Sequence, residues 1–211
     1  MLEIIFNYLE KSKSDTHDVQ FNQFSTLLSI FERTILPTFR SRYTQFILFK
    51  YSSFNPHFSD LFQGMLLSKA IFQNEEPSII RIVAASYLAS YVSRARFIDS
   101  ISTKRVVGLM CDYISNELDN IPQPIVNFKL QSYNVWYSIV QAVFYIFCFR
   151  WRELILSSDE ETVFDHAEAL PVGAHTWIPG LDVLQRAILS PLNPLKVSLL
   201  LFYYYYFINI I

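Results

Sequence analysis

The sequence predicts an all-α fold made of consecutive helices. Apolar side chains recur every three or four positions through stretches of several helical turns, and short polar or proline-containing segments separate these stretches. Only 4 glycines occur in 211 residues, which disfavours a many-stranded β fold. The chain is 52% hydrophobic and 17% aromatic, so it can bury a sizeable core.

The first part of the chain contains four amphipathic stretches. They predict helices over Met1–Lys11, Phe21–Ile35, Phe39–Tyr51 and His57–Gln73. A polar segment over Lys11–Asp18 predicts a loop. Pro37 ends the second predicted helix, because proline disfavours helical backbone in the residue before it, and Pro56 opens the turn before the fourth.

The pattern is clearest after Pro77, which suits the first turn of a helix starting at Ser78. Apolar residues then recur in pairs with a step of four: Ile79 and Ile80, Val83 and Ala84, Tyr87 and Leu88, Tyr91 and Val92. Three further helices are predicted over Ser102–Leu118, Ser132–Phe149 and Leu181–Leu189. The predicted starts at His57 and Ser102 differ by 45 residues, and those at Phe39 and Ser78 by 39. Such intervals are typical of two-helix HEAT or armadillo units.

Two apolar stretches raise the possibility of membrane association. Val135–Phe149 and Val197–Ile211 are each 15 residues long, whereas a membrane-spanning helix needs about 20. Both are therefore predicted as buried core helices, and a membrane-associated tail is kept as an alternative. Cys111 and Cys148 lie in apolar runs and are predicted to be buried, reduced thiols.

The sequence contains no recognisable catalytic or cofactor motif: no P-loop, no dinucleotide-binding GxGxxG, no HExxH and no GxSxG. The residues best placed to hold a metal share one short segment and do not have zinc-like spacing: Asp165, His166, Glu168 and His175. They are predicted to be a solvated loop. Cys148 is disfavoured as a nucleophile by its apolar surroundings. We therefore expect no catalytic, cofactor or metal site.

One cationic cluster is the candidate binding site. Arg94, Arg96, Lys104 and Arg105 surround Phe97 between two predicted helices, and could meet phosphate or an acidic partner. Arg94, Arg96 and Lys104 are expected to be exposed. In the alternative interpretation, these cations only complement the carboxyl-terminal end of a helix dipole. The net charge of −2 gives no general reason to expect nucleic-acid binding, so direct contact with nucleic acid stays open.

Several segments resemble a known family when they are read in order. Residues 81–98, RIVAASYLASYVSRARFI, are similar to a segment RxAAxYIxSFxARAKFI of the RNA polymerase I-specific transcription initiation factors. Residues 141–150, QAVFYIFCFR, resemble the family's QAVFYxFxFR segment, and residues 193–196 its NPLK segment. Leu36-Pro37-Thr38, with Gln45-Phe46 following, also fits. The resemblance covers residues 1–198, and the apolar tail over residues 199–211 departs from the family pattern.

The resemblance implies a HEAT-like helical-repeat solenoid without enzymatic activity, cofactor or small-molecule substrate. It implies that the chain binds RNA polymerase I subunits and bridges them to the promoter-bound initiation factor at ribosomal RNA genes, in the nucleus and nucleolus. It also implies a solenoid truncated at both ends, with Arg81 and Arg150 paired to acidic residues inside the repeat stack. A general HEAT-type protein–protein adaptor is the main alternative, and a membrane-associated helical protein is the less favoured one.

Overall fold

The computed structural model describes residues 2–13, 16–38, 43–121, 130–156 and 176–196. The chain divides into two compact units, Met1–Asp99 and Ser100–Ile211. The described residues form eight α-helices: α1 Leu2–Ser12, α2 His17–Ile30, α3 Gln45–Ser52, α4 Pro56–Leu67, α5 Ser78–Arg94, α6 Ser100–Asp119, α7 Asn134–Arg150 and α8 Val183–Leu189. Within these ranges, β structure is limited to an isolated antiparallel bridge between Ile155 and Trp177. The all-α prediction is therefore confirmed.

The first unit is built around an aromatic core. α2 packs against α3 and α4, α3 packs against α4, and α4 packs against α5, while α1 lies on α3. The rings of Phe24 and Phe58 stack with centroids 4.5 Å apart, and Phe62 meets Phe31 at 5.1 Å and Tyr91 at 4.8 Å, both edge to face. All five rings are fully buried. Since burial of one such side chain contributes about 1.5–3 kcal/mol, this cluster is a principal source of stability for the unit.

Two helices of this unit end in π-helical turns. α2 continues into Phe31–Ile35 and α4 into Ser68–Phe72. Lys69, in the second turn, places its Nζ 2.5 Å from Glu76 and 3.0 Å from Glu32. The hydrogen bond to Glu76 is the main cause of a raised pKa of Lys69. Glu76 therefore ties the segment before α5 to the π-helical turn that follows α4.

A buried polar network crosses the aromatic core. The Tyr91 hydroxyl lies 2.6 Å from Ser52 Oγ and donates to Ser59 Oγ at 3.0 Å. Ser52 also donates to the carbonyl of Phe49, and Gln63 Nε2 donates to Ser59 Oγ at 3.1 Å. The network joins α3, α4 and α5. Burial raises the pKa of Tyr91 to about 12.

The second unit packs α6 against α7 and α8. Trp136 of α7 is almost wholly buried and donates its indole N–H to the carbonyl of Ile114 at 3.3 Å. On the outside, Arg186 of α8 binds Asp119 of α6 at 2.5 Å. The residues after α7 reach Thr176–Ile178 through two backbone hydrogen bonds, Leu156 N–H to Thr176 and Ile178 N–H to Leu154.

Most predicted helices agree with the structure, and one differs clearly. Tyr43 and Thr44 are not helical, and α3 begins only at Gln45. The predicted continuous helix Phe39–Tyr51 is therefore wrong in its described amino-terminal part, and the 39-residue interval counted from Phe39 is not the start-to-start interval of α3 and α5. The predicted start at Phe39 lies outside the described residues. α2 begins at His17, four residues before the predicted Phe21.

Candidate partner-binding site

Much of the segment over residues 81–98 is used for packing within the first unit. Arg81 donates from Nε to the carbonyl of Ala70 at 3.0 Å and from Nη2 to that of Ile71 at 3.4 Å, so its guanidinium caps the π-helical end of α4. Ala84 and Ala85 are fully buried, so substitution by larger side chains is expected to overpack the core. These residues therefore have packing and capping roles within the first unit, and those roles do not require a binding partner.

The end of the same segment is different, because part of it faces solvent. Ala95 and Ile98 are buried and hold the turn through backbone hydrogen bonds, Ala95 N–H to Tyr91 at 2.9 Å and Ile98 N–H to Ala95 at 3.1 Å. Arg94, Arg96 and Phe97 are exposed. We call these three residues the arginine–phenylalanine turn.

Phe97 keeps 46% of its surface exposed while its ring lies 6.0 Å from that of buried Tyr91. The ring therefore contacts the core on one side and presents an apolar surface on the other. Arginine and aromatic side chains of this kind are enriched at the energetic centres of protein–protein interfaces.

The two other cations of the candidate cluster belong to the second unit, in the first turns of α6. Arg105 is exposed, but Lys104 is only 8% exposed. The expected exposure of Lys104 is therefore wrong. The sequence spacing indicated that Lys104 would be buried, because it lies three residues before Val107 and seven before Cys111. Both of these residues are on the helix face that packs inwards. A role of Lys104 and Arg105 in partner binding stays a prediction.

Three serines in the middle and end of α5 also differ in their exposure to solvent. Ser93 is buried, Ser90 is half-buried, and Ser86 is exposed and donates its hydroxyl to the carbonyl of Ile82 at 3.0 Å. Ser93 thus has a packing position, whereas Ser86 faces solvent in the middle of a helix.

The QAVFYIFCFR segment lies in α7 and is also mainly structural. Ala142, Val143 and Ile146 are buried. Arg150 is buried too, donates to Thr103 Oγ1 at 3.3 Å and pairs with Glu153. The expected pairing of Arg150 with an acidic residue is therefore confirmed, but this residue is the partly exposed Glu153 of the next turn. Cys148, however, is exposed, and the prediction of a buried thiol is wrong for this residue.

The NPLK segment forms a turn held by the second unit. Asn193 adopts a positive φ of 26° and accepts the N–H of Lys196 on its side-chain oxygen at 3.3 Å. Asparagine tolerates this left-handed region better than most residues. Tyr137 of α7 donates its hydroxyl to the carbonyl of Leu192 at 2.8 Å, which fixes the turn to the core.

Over the described ranges, no three His, Cys, Asp or Glu side chains group as metal ligands; the segment with Asp165, His166, Glu168 and His175 lies outside those ranges. Cys111 is buried, and burial raises the pKa of its thiol to about 12, which disfavours the reactive thiolate. No described helix is long and apolar enough to cross a membrane, and the stretch Val197–Ile211 is again outside the description.

The first unit also carries an open groove of about 420 Å³ between α1 and α2. Its lining is uncharged: Tyr8, Leu9, Val19, Asn22, Gln23, Thr26, Leu27 and Tyr51. The Tyr51 hydroxyl at its floor is already bonded to Gln23 Oε1 at 2.6 Å. A small-molecule site would need convergent polar groups in an enclosed cavity, so the groove is not assigned as one.

Comparison with known proteins decides the family. The family model described as "RNA polymerase I specific transcription initiation factor RRN3" matches residues 1–200. The chain belongs to the RRN3 family.

Relatives within the RRN3 family agree over almost the whole chain. The RNA polymerase I-specific transcription initiation factor rrn3 of Schizosaccharomyces pombe is 36% identical over 196 residues, which are 93% of this chain and 31% of that protein. The RRN3 factor of Mus musculus is 31% identical over 205 residues, which are 94% of this chain and 29% of that protein. The chain therefore spans about a third of the length of these RRN3 factors.

A solved structure supports the fold. The crystal structure of the RNA polymerase I transcription initiation factor Rrn3 matches with a TM-score of 0.78 and 23% identity, covering 92% of this chain and 38% of that one. The helical-repeat fold predicted from sequence is thus confirmed at the level of fold class. The assignment of the repeats to the HEAT type in particular stays a prediction.

Proposed function

We propose that this chain is the part of an RNA polymerase I initiation factor that binds RNA polymerase I and helps bridge it to the promoter-bound initiation factor at ribosomal RNA genes. The observation that carries this proposal is family membership over nearly the whole chain. The chain spans about a third of the length of its relatives, so the activity of a whole initiation factor is ascribed to this chain only as part of this proposal. The proposed location is the nucleus, and within it the nucleolus.

The chemistry of the described residues supports a protein that acts by holding other macromolecules. The polar side chains of the motif segments are used to fix helices, as in the contacts of Arg81, Arg150 and Tyr137. At the arginine–phenylalanine turn, the first of these segments presents cationic and aromatic side chains to solvent. We propose Arg94 and Arg96 as partner-contact residues of the first unit and Arg105 as one of the second unit, where Lys104 is largely buried.

The experiment that tests the proposal is capture of purified RNA polymerase I on the immobilised 211-residue chain. Retention of the polymerase above the level of an unrelated helical protein is expected. Adding the purified promoter-bound factor should then yield a ternary complex, since bridging requires both partners at once. A chain that is folded by circular dichroism and retains no polymerase would contradict the proposal. Binding of polymerase without the ternary complex would limit the function to polymerase binding.

A further inference from the structure

We propose that Ser190 is a phosphorylation site for protein kinases that require a proline after the target serine. The phosphate weakens the capping of α8 and so loosens the turn that contains the NPLK segment. The inference goes beyond the proposed function and does not rest on it, because it depends only on the residues at the end of α8 and in the following turn.

The sequence at Ser190 carries the minimal signature of such kinases. Ser190 and Pro191 form the only serine–proline or threonine–proline pair among the 211 residues. Kinases of this class bind their substrate as an extended segment and accept a proline, because binding does not need the N–H that proline lacks. A proline also disfavours helical backbone in the residue before it, which prepares the serine for binding in an extended conformation.

The structure places Ser190 where a kinase can bind it. α8 ends at Leu189, and Ser190 has extended backbone with φ −72° and ψ 163°. The Ser190 side chain is half-buried, but Leu189 before it is 77% exposed and Pro191 after it is exposed as well. Ser86 is a useful contrast, because it is exposed in the middle of α5, where helical backbone does not fit an extended binding site.

The hydroxyl of Ser190 joins the end of α8 to the next turn. It donates to the carbonyl of Ala187 at 2.7 Å and accepts the N–H of Leu192 at 3.2 Å. Leu192 is buried, and its own carbonyl accepts the hydroxyl of Tyr137 at 2.8 Å. A change at the Ser190 oxygen therefore acts on the turn that Tyr137 holds against the core of the second unit.

Phosphoryl transfer removes the donor of this cap. Ser190 Oγ forms a bond to the γ-phosphorus of ATP, the bond from that phosphorus to the bridging oxygen of ADP breaks, and the hydroxyl proton passes to a base of the kinase. The resulting ester oxygen has no proton, so the hydrogen bond to the Ala187 carbonyl is lost. The N–H of Leu192 can still donate to a phosphate oxygen.

The charge of the phosphate adds to this loss. A phosphate carries about −1.5 to −2 charges at neutral pH, and here it lies at the carbonyl end of α8, which is the negative end of the helix dipole. Arg186 lies one helical turn before Ser190, but its guanidinium already binds Asp119 of α6 at 2.5 Å and Ser115 at 3.0 Å. A phosphate that attracts Arg186 therefore removes a contact between α6 and α8.

Treatment of the folded 211-residue chain with Mg²⁺-ATP and two purified proline-directed kinases tests the site. One is a cyclin-dependent kinase with its cyclin, and the other is a mitogen-activated protein kinase. With at least one of them, mass spectrometry should show the gain of a single phosphate at Ser190. Ser190→Ala and Pro191→Ala should each abolish this gain. Ser86→Ala removes an exposed hydroxyl that no proline follows and should leave it unchanged.

A peptide of residues 183–196 is the control for access to the serine. The inference is overturned if the kinases phosphorylate this peptide but not the folded chain, because Ser190 is then inaccessible in the fold. It is equally overturned if neither the peptide nor the chain is phosphorylated, or if the phosphate lies on another residue. Circular dichroism verifies that the variants are folded.

Hydrogen exchange followed by mass spectrometry tests the consequence of the phosphate. The amides of residues 190–193 should exchange about fivefold faster in the phosphorylated chain, as the loss of one ordinary hydrogen bond requires. Ser190→Ala removes the same donor without adding charge, so its exchange should lie between those of the unmodified and phosphorylated chains. Amides of α5 should be unaffected. Equal exchange in the phosphorylated and unmodified chains would overturn the loosening, and exchange as fast in Ser190→Ala would overturn the contribution of charge.

Discussion

The buried network around Tyr91 predicts that Tyr91→Phe lowers the free energy of unfolding of the unmodified chain. The same substitution should raise it when Ser52 and Ser59 are already alanine. Tyr91→Phe removes one hydroxyl that contacts Ser52 and Ser59. Neither serine is stranded, because Ser52 keeps the carbonyl of Phe49 and Ser59 keeps the amide of Gln63. The loss is therefore near that of one or two ordinary hydrogen bonds, about 1–2 kcal/mol of the free energy of unfolding.

Ser52→Ala combined with Ser59→Ala instead leaves a polar group stranded, because it removes both serine partners of the Tyr91 hydroxyl while the hydroxyl stays buried. A stranded buried hydroxyl adds about 1–3 kcal/mol to the lost hydrogen bonds, so the double variant should lose about 2–4 kcal/mol. Adding Tyr91→Phe to this double variant should then raise stability, since it deletes the stranded group.

Urea unfolding followed by circular dichroism measures these differences, and thermal melting provides a second measurement at about 2–4 °C per kcal/mol for a chain of this size. The decisive comparison is the triple variant against the double variant. If the triple variant is no more stable than the double one, the hydroxyl has another acceptor and the account of the network is wrong.

The same network predicts a pH dependence. Burial raises the pKa of Tyr91 from its ordinary value of 10 to about 12, so the folded chain holds this proton where the unfolded chain releases it. The free energy of unfolding should therefore fall between about pH 10 and pH 12 and be unaffected by this group below pH 10. Tyr91→Phe should make the fall less steep, and an unchanged slope would contradict the assignment.

Three other predictions concern the second unit. Cys148 should react with Ellman's reagent in the folded chain, whereas Cys111 should react only after unfolding, because the first thiol is exposed and the second is buried with a raised pKa; two fast thiols would contradict this. Asn193→Ala should lower the free energy of unfolding by about 1–2 kcal/mol and Asn193→Gly by less, because glycine accepts the positive φ at little cost; equal losses in urea unfolding would refute the backbone argument. Glu153→Gln should destabilise by about 1–3 kcal/mol by leaving the buried Arg150 guanidinium without its carboxylate, and Arg150→Met added to it should recover part of the loss in the same assay.

The helices could be predicted from sequence because their apolar periodicity is strong. α5 begins at Ser78, where Pro77 predicted it, and α6 begins two residues before the predicted Ser102. The beginning of α3 could not be placed in the same way. The predicted helix from Phe39 assumed that one apolar pattern continued to Tyr51, whereas Tyr43 and Thr44 form a turn that closes through Phe46 N–H to the carbonyl of Tyr43.

Exposure was harder to predict than helix position. α7 is apolar on nearly all sides, and only its neighbours decide that Ile146 is buried while Cys148 and Phe149 face solvent. Lys104 shows the reverse case, since its charge suggested exposure although its spacing to Val107 and Cys111 places it on the inward face. The location of the arginine–phenylalanine turn was visible in the sequence. The backbone hydrogen bonds of this turn and the ring contact between Phe97 and Tyr91 became visible only in the structure.

Sedimentation velocity of the 211-residue chain mixed with purified RNA polymerase I tests the central claim most directly. Labelled chain should sediment with the polymerase. Arg94→Glu with Arg96→Glu should reduce the bound fraction about fivefold near half-saturation, as a tenfold loss of affinity requires, and Lys13→Glu with Arg33→Glu should leave it unchanged. A folded chain that sediments as the free species at every polymerase concentration would contradict the claim that this helical scaffold binds RNA polymerase I.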